Sequence, residues 1–117
     1  MDNKTAIRKS IQYIEENLSE EISLNGIAKR VHFSEFHFHR LFRSITGSTV
    51  MEYVRRKRLE KAAEVLSETC EKITDIAYKY QYSSEEAFSR AFKKAYGNSP
   101  REYRNSFKKK YTCSMAA

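Results

Sequence analysis

Ten residues, in two sets of five, have the types and spacing of a surface that could read the edges of base pairs. The first set is Glu35, Phe36, His39, Arg40 and Arg43, and the second is Glu85, Glu86, Ser89, Arg90 and Lys93. Within each set the spacing brings the side chains to one side of an α-helix. Arginine and histidine donate to guanine O6 and N7, and a carboxylate accepts from the cytosine amino group. A phenylalanine covers a thymine methyl, and a further cation meets a phosphate. An outward Phe36 is a costly decoration of a soluble surface unless it touches a partner. Glu85 and Glu86 also have a structural reading, as carboxylates that favour the first turn of their helix.

Catalytic chemistry has little to build on. Three histidines, no paired carboxylates in an apolar setting, no glycine-rich phosphate loop and no Cys/His cluster give no catalytic residue, no metal site and no cofactor. Cys70 and Cys113 are far apart and lack metal-ligand or thiol-exchange spacing, which predicts two reduced thiols in a cytoplasmic protein. No apolar run approaches the roughly 20 residues that span a bilayer, and the N-terminal segment opens into an amphipathic pattern rather than a signal peptide. A cytoplasmic, nucleoid-associated location with no membrane partner is expected.

The elements that must position the two sets are helices. Three Gly and one Pro in 117 residues leave little material for hairpins, and the length suits one compact, mostly helical unit. Ile7, Ile11, Ile14 and Leu18 form one apolar stripe over about residues 5–18. Ser23 caps a short second helix through Leu24, Ile27, Ala28 and Val31. Ser34 caps a third whose inward face is Phe38, Leu41, Phe42 and Ile45, stopped at Gly47. Two short helices joined at HFS make a helix-turn-helix. A long helix follows from Thr49, with Glu52 completing a capping box, to Leu66.

The cycle then repeats. Ile73, Ile76 and Ala77 belong to a fifth helix with Thr74 as its cap. Ser83 or Ser84 opens a sixth with Phe88, Ala91, Phe92 and Ala95 inward, stopped at Gly97. Ser99, Pro100 and Glu102 open a seventh through Tyr103 and Phe107. FHFHRLFRSITGSTVMEYV (36–54) is echoed by EAFSRAFKKAYGNSPREYR (86–104): Phe38/Phe88, Arg40/Arg90, Phe42/Phe92, Gly47/Gly97 and Tyr53/Tyr103 pair at an offset of fifty. The offset is 49 as far as Phe33/Tyr82 and 50 from Ser34/Ser84, because the second turn reads YSS where the first reads FS. The expected fold is all-α: about seven helices forming two helix-turn-helix subdomains joined by a long central helix, a homeodomain-like pair. The subdomains are residues 5–48 and 67–108, the linking helix 49–66, and a flexible tail 109–117.

The net charge of +7 suits a polyanionic partner. Residues 1–33 are balanced, whereas 34–66 hold seven basic and four acidic residues and 67–117 ten and six, so the excess accompanies the two sets. Arg55, Arg56, Lys57 and Arg58 run around the linking helix and cannot all reach one surface. Some meet phosphates, and the rest are solvated or pair with Glu60 and Glu64.

At the level of whole motifs the chain resembles the DNA-binding module of the AraC/XylS family of bacterial transcription regulators. The resemblance covers about residues 5–107. It is densest in FSEFHFHRLFRSITGSTVMEYVRRKRLEKAAEVL and in DIAYKYQYSSEEAFSRAFKKAYGNSPREYR, whose IA, Phe-x-Arg-x-Phe-Lys and Gly-x-x-Pro-x-x-Tyr-Arg runs match the family signature. The resemblance implies a seven-helix monomer with two recognition helices in adjacent major grooves of double-stranded DNA, acting with RNA polymerase at promoters, as an activator. It places base-reading slots at Glu35, Phe36, His39 and Arg40, and at Glu85, Glu86, Ser89 and Arg90. Small members of the MarA/SoxS type carry Trp and Gln where this chain has Phe36 and His39, which implies a different preferred site. His37 is expected to be partly buried and His32 to lie on the surface of the turn.

Three other readings compete. The chain could be the DNA-binding part of a longer ligand-sensing regulator. It could be an RNA-binding or nucleoid-coating protein without sequence preference, although its aromatics fall on inward stripes rather than on stacking platforms. An alkyl-DNA repair protein with an AraC-like module would need a Cys-rich zinc segment that is lacking here.

Overall fold

The computed structural model of the protein describes residues 2–107. Seven α-helices make up the described residues: α1 (Asn3–Glu16), α2 (Leu24–Arg30), α3 (Glu35–Thr46), α4 (Val50–Glu68), α5 (Ile73–Lys79), α6 (Glu85–Tyr96) and α7 (Pro100–Asn105). No strand occurs among them. The chain divides into two compact units, Met1–Lys57 and Arg58–Ala117, with the boundary inside α4. The proposed tail at 109–117 and Cys113 lie outside the described residues.

The first unit is built on a capped α1 and a helix-turn-helix. The Asp2 side chain accepts from the Thr5 amide at 2.7 Å, so α1 begins two residues earlier than its apolar stripe indicates. Ile7 and Ile14 of α1, Ile27 and Ala28 of α2, and Phe38 and Phe42 of α3 are all buried, together with Val50, Tyr53 and Val54 of α4. Phe42 lies 5.7 Å from Phe38, and 5.7 Å from Tyr53 in an edge-on pair. The Tyr53 hydroxyl donates to Glu15 at 2.8 Å, and Lys57 Nζ stands 3.8 Å from the same carboxylate.

The second unit reproduces this design. Ile76, Ala77 and Tyr80, with Phe88 and Phe92, form its core alongside Ala62, Ala63 and Leu66 of α4. Phe92 is 5.7 Å from Phe88 and 5.2 Å from Tyr103, again edge-on. The equivalent of Val54 is Arg104, which is buried and donates from Nε to the Leu66 carbonyl oxygen at 3.1 Å. A cation near the C-terminal end of α4 also opposes the negative end of the helix dipole.

Both turns of the helix-turn-helix units are Schellman motifs. His32 N donates to Lys29 O at 3.1 Å and Phe33 N to Ala28 O at 3.0 Å. Gln81 N donates to Tyr78 O and Tyr82 N to Ala77 O at the same two distances. The residue that closes each turn is left-handed without being glycine: φ is 62° at His32 and 73° at Gln81. At the far ends of α3 and α6, Gly47 and Gly97 adopt φ of 83° and 81°, where glycine avoids a steric cost.

Several expectations need correction. Ile45 is 47% exposed and Ala95 is also exposed, because the last turn of α3 and of α6 runs past the core that covers Phe38/Phe42 and Phe88/Phe92. Lys72, not Thr74, precedes α5 as its N-cap, and no side chain caps it. Thr74 is the second residue of that helix. The long helix extends to Glu68 rather than Leu66, and α7 stops at Asn105, before Phe107. Cys70 is disulfide-bonded, which corrects the reading of a reduced thiol. A cysteine without a local motif carries no signal of its oxidation state.

Candidate nucleic-acid interface

On α3 two side-chain hydrogen bonds hold the first turn. The Ser34 hydroxyl accepts from the His37 amide at 3.1 Å and fixes the start of the helix, while Glu35 accepts from Asn25 Nδ2 of α2 at 2.8 Å. With Phe38 and Phe42 buried, the opposite side of the helix presents Glu35, Phe36, Arg40 and Arg43 to solvent, with His39 at its partly buried edge. Phe36 is 70% exposed, and the Arg40 guanidinium carbon lies 5.5 Å from its ring centroid. An arginine over an aromatic face keeps its fork of donors ordered while leaving it open to a planar acceptor pair.

His37 departs from expectation. It is exposed rather than partly buried, and it stacks on Phe33 at 4.6 Å between ring centroids with 14° between the planes. His32 lies on the surface of the turn.

The same construction recurs on α6. Ser84 accepts from the Ala87 amide at 3.0 Å, and Glu85 accepts from the Thr74 hydroxyl of α5. Glu86, Arg90 and Lys93 are exposed, and Ser89 and Glu85 are partly so. Acidic residues stand in the first turn of α3 and α6 and basic ones in the last, each complementing the helix dipole. Among the described residues no group of three or more His, Cys, Asp or Glu could hold a metal. No helix among them is long and apolar enough to cross a membrane.

Each unit therefore presents one helix whose inner face is locked by two phenylalanines and whose outer face carries donors, an acceptor and cations. The roles of Asn25 and Thr74 as partners of Glu35 and Glu85 are not among the sequence expectations, in which Thr74 is a helix cap. The signal that could have found them is their equivalence at the offset of 49, each preceding a glutamate repeated at 50.

A family model described as a helix-turn-helix domain matches residues 27–106. The regulatory protein SoxS of Salmonella typhimurium is 33% identical over 105 residues, which cover 90% of this chain and 98% of SoxS. An AraC-type transcriptional regulator from Chromobacterium violaceum superposes with a TM-score of 0.84 at 27% identity, over 89% of this chain and 93% of that one. The chain belongs to the AraC family of transcription regulators.

Other relatives differ in length. The HTH-type transcriptional regulator YbfP of Bacillus subtilis is 46% identical over 107 residues, covering 92% of this chain but 36% of YbfP. The chain thus spans little more than a third of the length of that relative. The DNA-binding domain of AdpA, solved in complex with a target DNA, superposes with a TM-score of 0.81 at 25% identity, over 89% of this chain and 94% of that one.

The AraC signature of the second unit consists mainly of scaffold. Ile76, Ala77, Phe88, Phe92 and Pro100 are buried, Gly97 turns the chain, Tyr103 packs edge-on against Phe92, and Arg104 bonds to the end of α4. Of its quoted positions Arg90, Lys93 and the turn residue Gly97 are exposed.

Proposed function

We propose that this AraC-family chain is a sequence-specific double-stranded DNA-binding transcription activator, in which α3 and α6 each enter a major groove of one duplex, one helical turn apart. The observation that carries this reading is the duplicated outward face. Glu35, Phe36, His39, Arg40 and Arg43 on α3, and Glu85, Glu86, Ser89, Arg90 and Lys93 on α6, stand opposite a duplicated buried Phe pair. Arg40 and Arg90 are the guanine readers, Phe36 covers a thymine methyl or sugar, and Arg43 and Lys93 hold phosphates. The protein acts by binding alone, as a monomer through this part of the chain, in the cytoplasm with the nucleoid. It works by contact with RNA polymerase. A disulfide at Cys70 runs against the usual thiol state of that compartment.

The test is a comparison of binding to selected duplex, random duplex and single-stranded RNA at about 150 mM salt, where phosphate attraction alone is weakened. The expected result is a selected duplex bound several orders of magnitude more tightly than the other two. Equal affinity for all three would overturn the reading in favour of non-specific coating.

A second reading is favoured by the lengths of the relatives. The chain covers nearly all of SoxS but 36% of YbfP. It would serve equally as the DNA-binding part of a longer regulator, with the signal sensed elsewhere.

A further inference from the structure

The sets of outward residues do not explain why each begins with a glutamate that leans back onto the preceding helix. Glu35 Oε2 accepts from Asn25 Nδ2 at 2.8 Å, and Glu85 Oε1 accepts from Thr74 Oγ1. Asn25 and Thr74 are each the second residue of their helix, and Glu35 and Glu85 each the first of theirs. The equivalence holds across the one-residue step between the turns, and across a change of donor from amide to hydroxyl. The bond, rather than the residue type, is what the two units share.

We infer that Asn25 and Thr74 are specificity-positioning residues, each holding its glutamate in one orientation so that the second carboxylate oxygen is offered to the amino group of a cytosine. The inference rests on the DNA-reading function proposed above. Free glutamates on an exposed first turn sample many rotamers, and ordering one at the moment of binding costs affinity. A hydrogen bond to one oxygen of an ionised carboxylate is charge-assisted and leaves the lone pairs of the other oxygen open. Supporting bonds of this kind set the geometry of a reading group without touching the ligand. Glu86 provides an internal contrast. It is exposed, with no hydrogen-bond partner among the described residues, and so has no such preparation.

The experiment is selection of bound sites from a random duplex pool, with melting curves alongside. The variants are Thr74→Val, Thr74→Ser, Glu85→Gln and Glu86→Gln in the second unit, and Asn25→Ala and Glu35→Gln in the first. Thr74→Val should flatten the same base pair that Glu85→Gln flattens, by about tenfold in preference. Thr74→Ser should restore it, and the pair read by Arg90 should keep its preference. Asn25→Ala should do likewise at the pair sensitive to Glu35→Gln, so that either unit tests the idea if a variant of the other fails to fold. The inference is overturned if Thr74→Val and Asn25→Ala lower the melting temperature but leave those base preferences intact. It is equally overturned if the glutamine variants alter no base pair. Loss of selectivity by the unsubstituted protein would instead remove the DNA-reading function itself, and it is read on a separate arm.

Discussion

Phe36 is the most exposed large apolar side chain among the described residues, and its counterpart at the offset of fifty is the carboxylate Glu86. A position serving the shared core would not change character in this way. Phe36→Ala should therefore leave the melting temperature within a degree or so and weaken binding to a selected duplex. Phe88→Ala removes a fully buried ring and should cost about 3–5 kcal/mol, a large part of the roughly 5–15 kcal/mol available to a small domain. Paired melts and titrations check both, and a large stability loss from Phe36→Ala would return that ring to the core. Arg40→Ala and Arg90→Ala should each lose about 1–3 kcal/mol of discrimination, in different halves of the site, without unfolding. At this scale the sequence was informative wherever burial follows a period: Phe38, Phe42, Phe88 and Phe92 lie inward as their spacing indicates. It was misleading at Ile45 and His37. The end of a helix can outrun its core, and a ring can be satisfied by stacking in the open on Phe33. The bonds from Asn25 and Thr74 join separate helices, and no local pattern encodes them.

Five helices start at side-chain caps that the sequence displays: Ser23, Ser34, Thr49, Ser84 and Ser99. Glu52 accepts from the Thr49 amide at 2.9 Å while Thr49 accepts from the Glu52 amide at 3.1 Å, and Ser99 with Glu102 repeats the box at α7. The backbone N–H of Thr49 and of Ser99, followed by their hydroxyls, holds these two carboxyls below the usual glutamate value. A carboxyl depressed in the folded state stabilises the fold above its unfolded value, about 4.3, and loses that contribution as pH falls through the lower folded value. The melting-temperature gap between wild type and Glu52→Ala should accordingly be steady from about pH 8 to pH 5 and close below about pH 4.3. A gap that persists into strong acid would deny the carboxylate its role. The turns are less legible. Glycine is the expected residue at the left-handed position of a Schellman turn, and His32 and Gln81 occupy it instead. His32→Val should lose about 1–2 kcal/mol in a denaturant melt, whereas His32→Gly should hold or gain. Lys72 precedes α5 without a side-chain bond, and the hydroxyl of Thr74, one residue inside the helix, mimics a cap in the sequence.

For the molecule as a whole, the +7 charge makes salt the most direct probe. Log affinity for duplex DNA should fall linearly with log salt, with a slope of about 0.9 per phosphate contact and several contacts in all. A slope near zero with affinity retained would exclude the duplex as partner. The repeat, the helix count and the family were all readable from spacing and motif, because both units bury the same residue types at the same steps. The state of Cys70 was not.

The boundary between the units falls between Lys57 and Arg58, inside a single uninterrupted helix. This arrangement governs how the protein comes apart. Proteases cut where backbone can leave its hydrogen bonds, and Lys57 and Arg58 both lie within α4. Nicking there must wait for local opening of α4, and a cut after Lys57 or Arg58 reports that opening. The i to i−4 bonds that cross the junction belong to neither unit alone. Loss of one unit strips the other of its continuing turn, so the melting of each half is expected to lower the barrier to melting of its neighbour. Hydrogen exchange at the amides of Arg58 to Lys61 should track the less stable of the two halves.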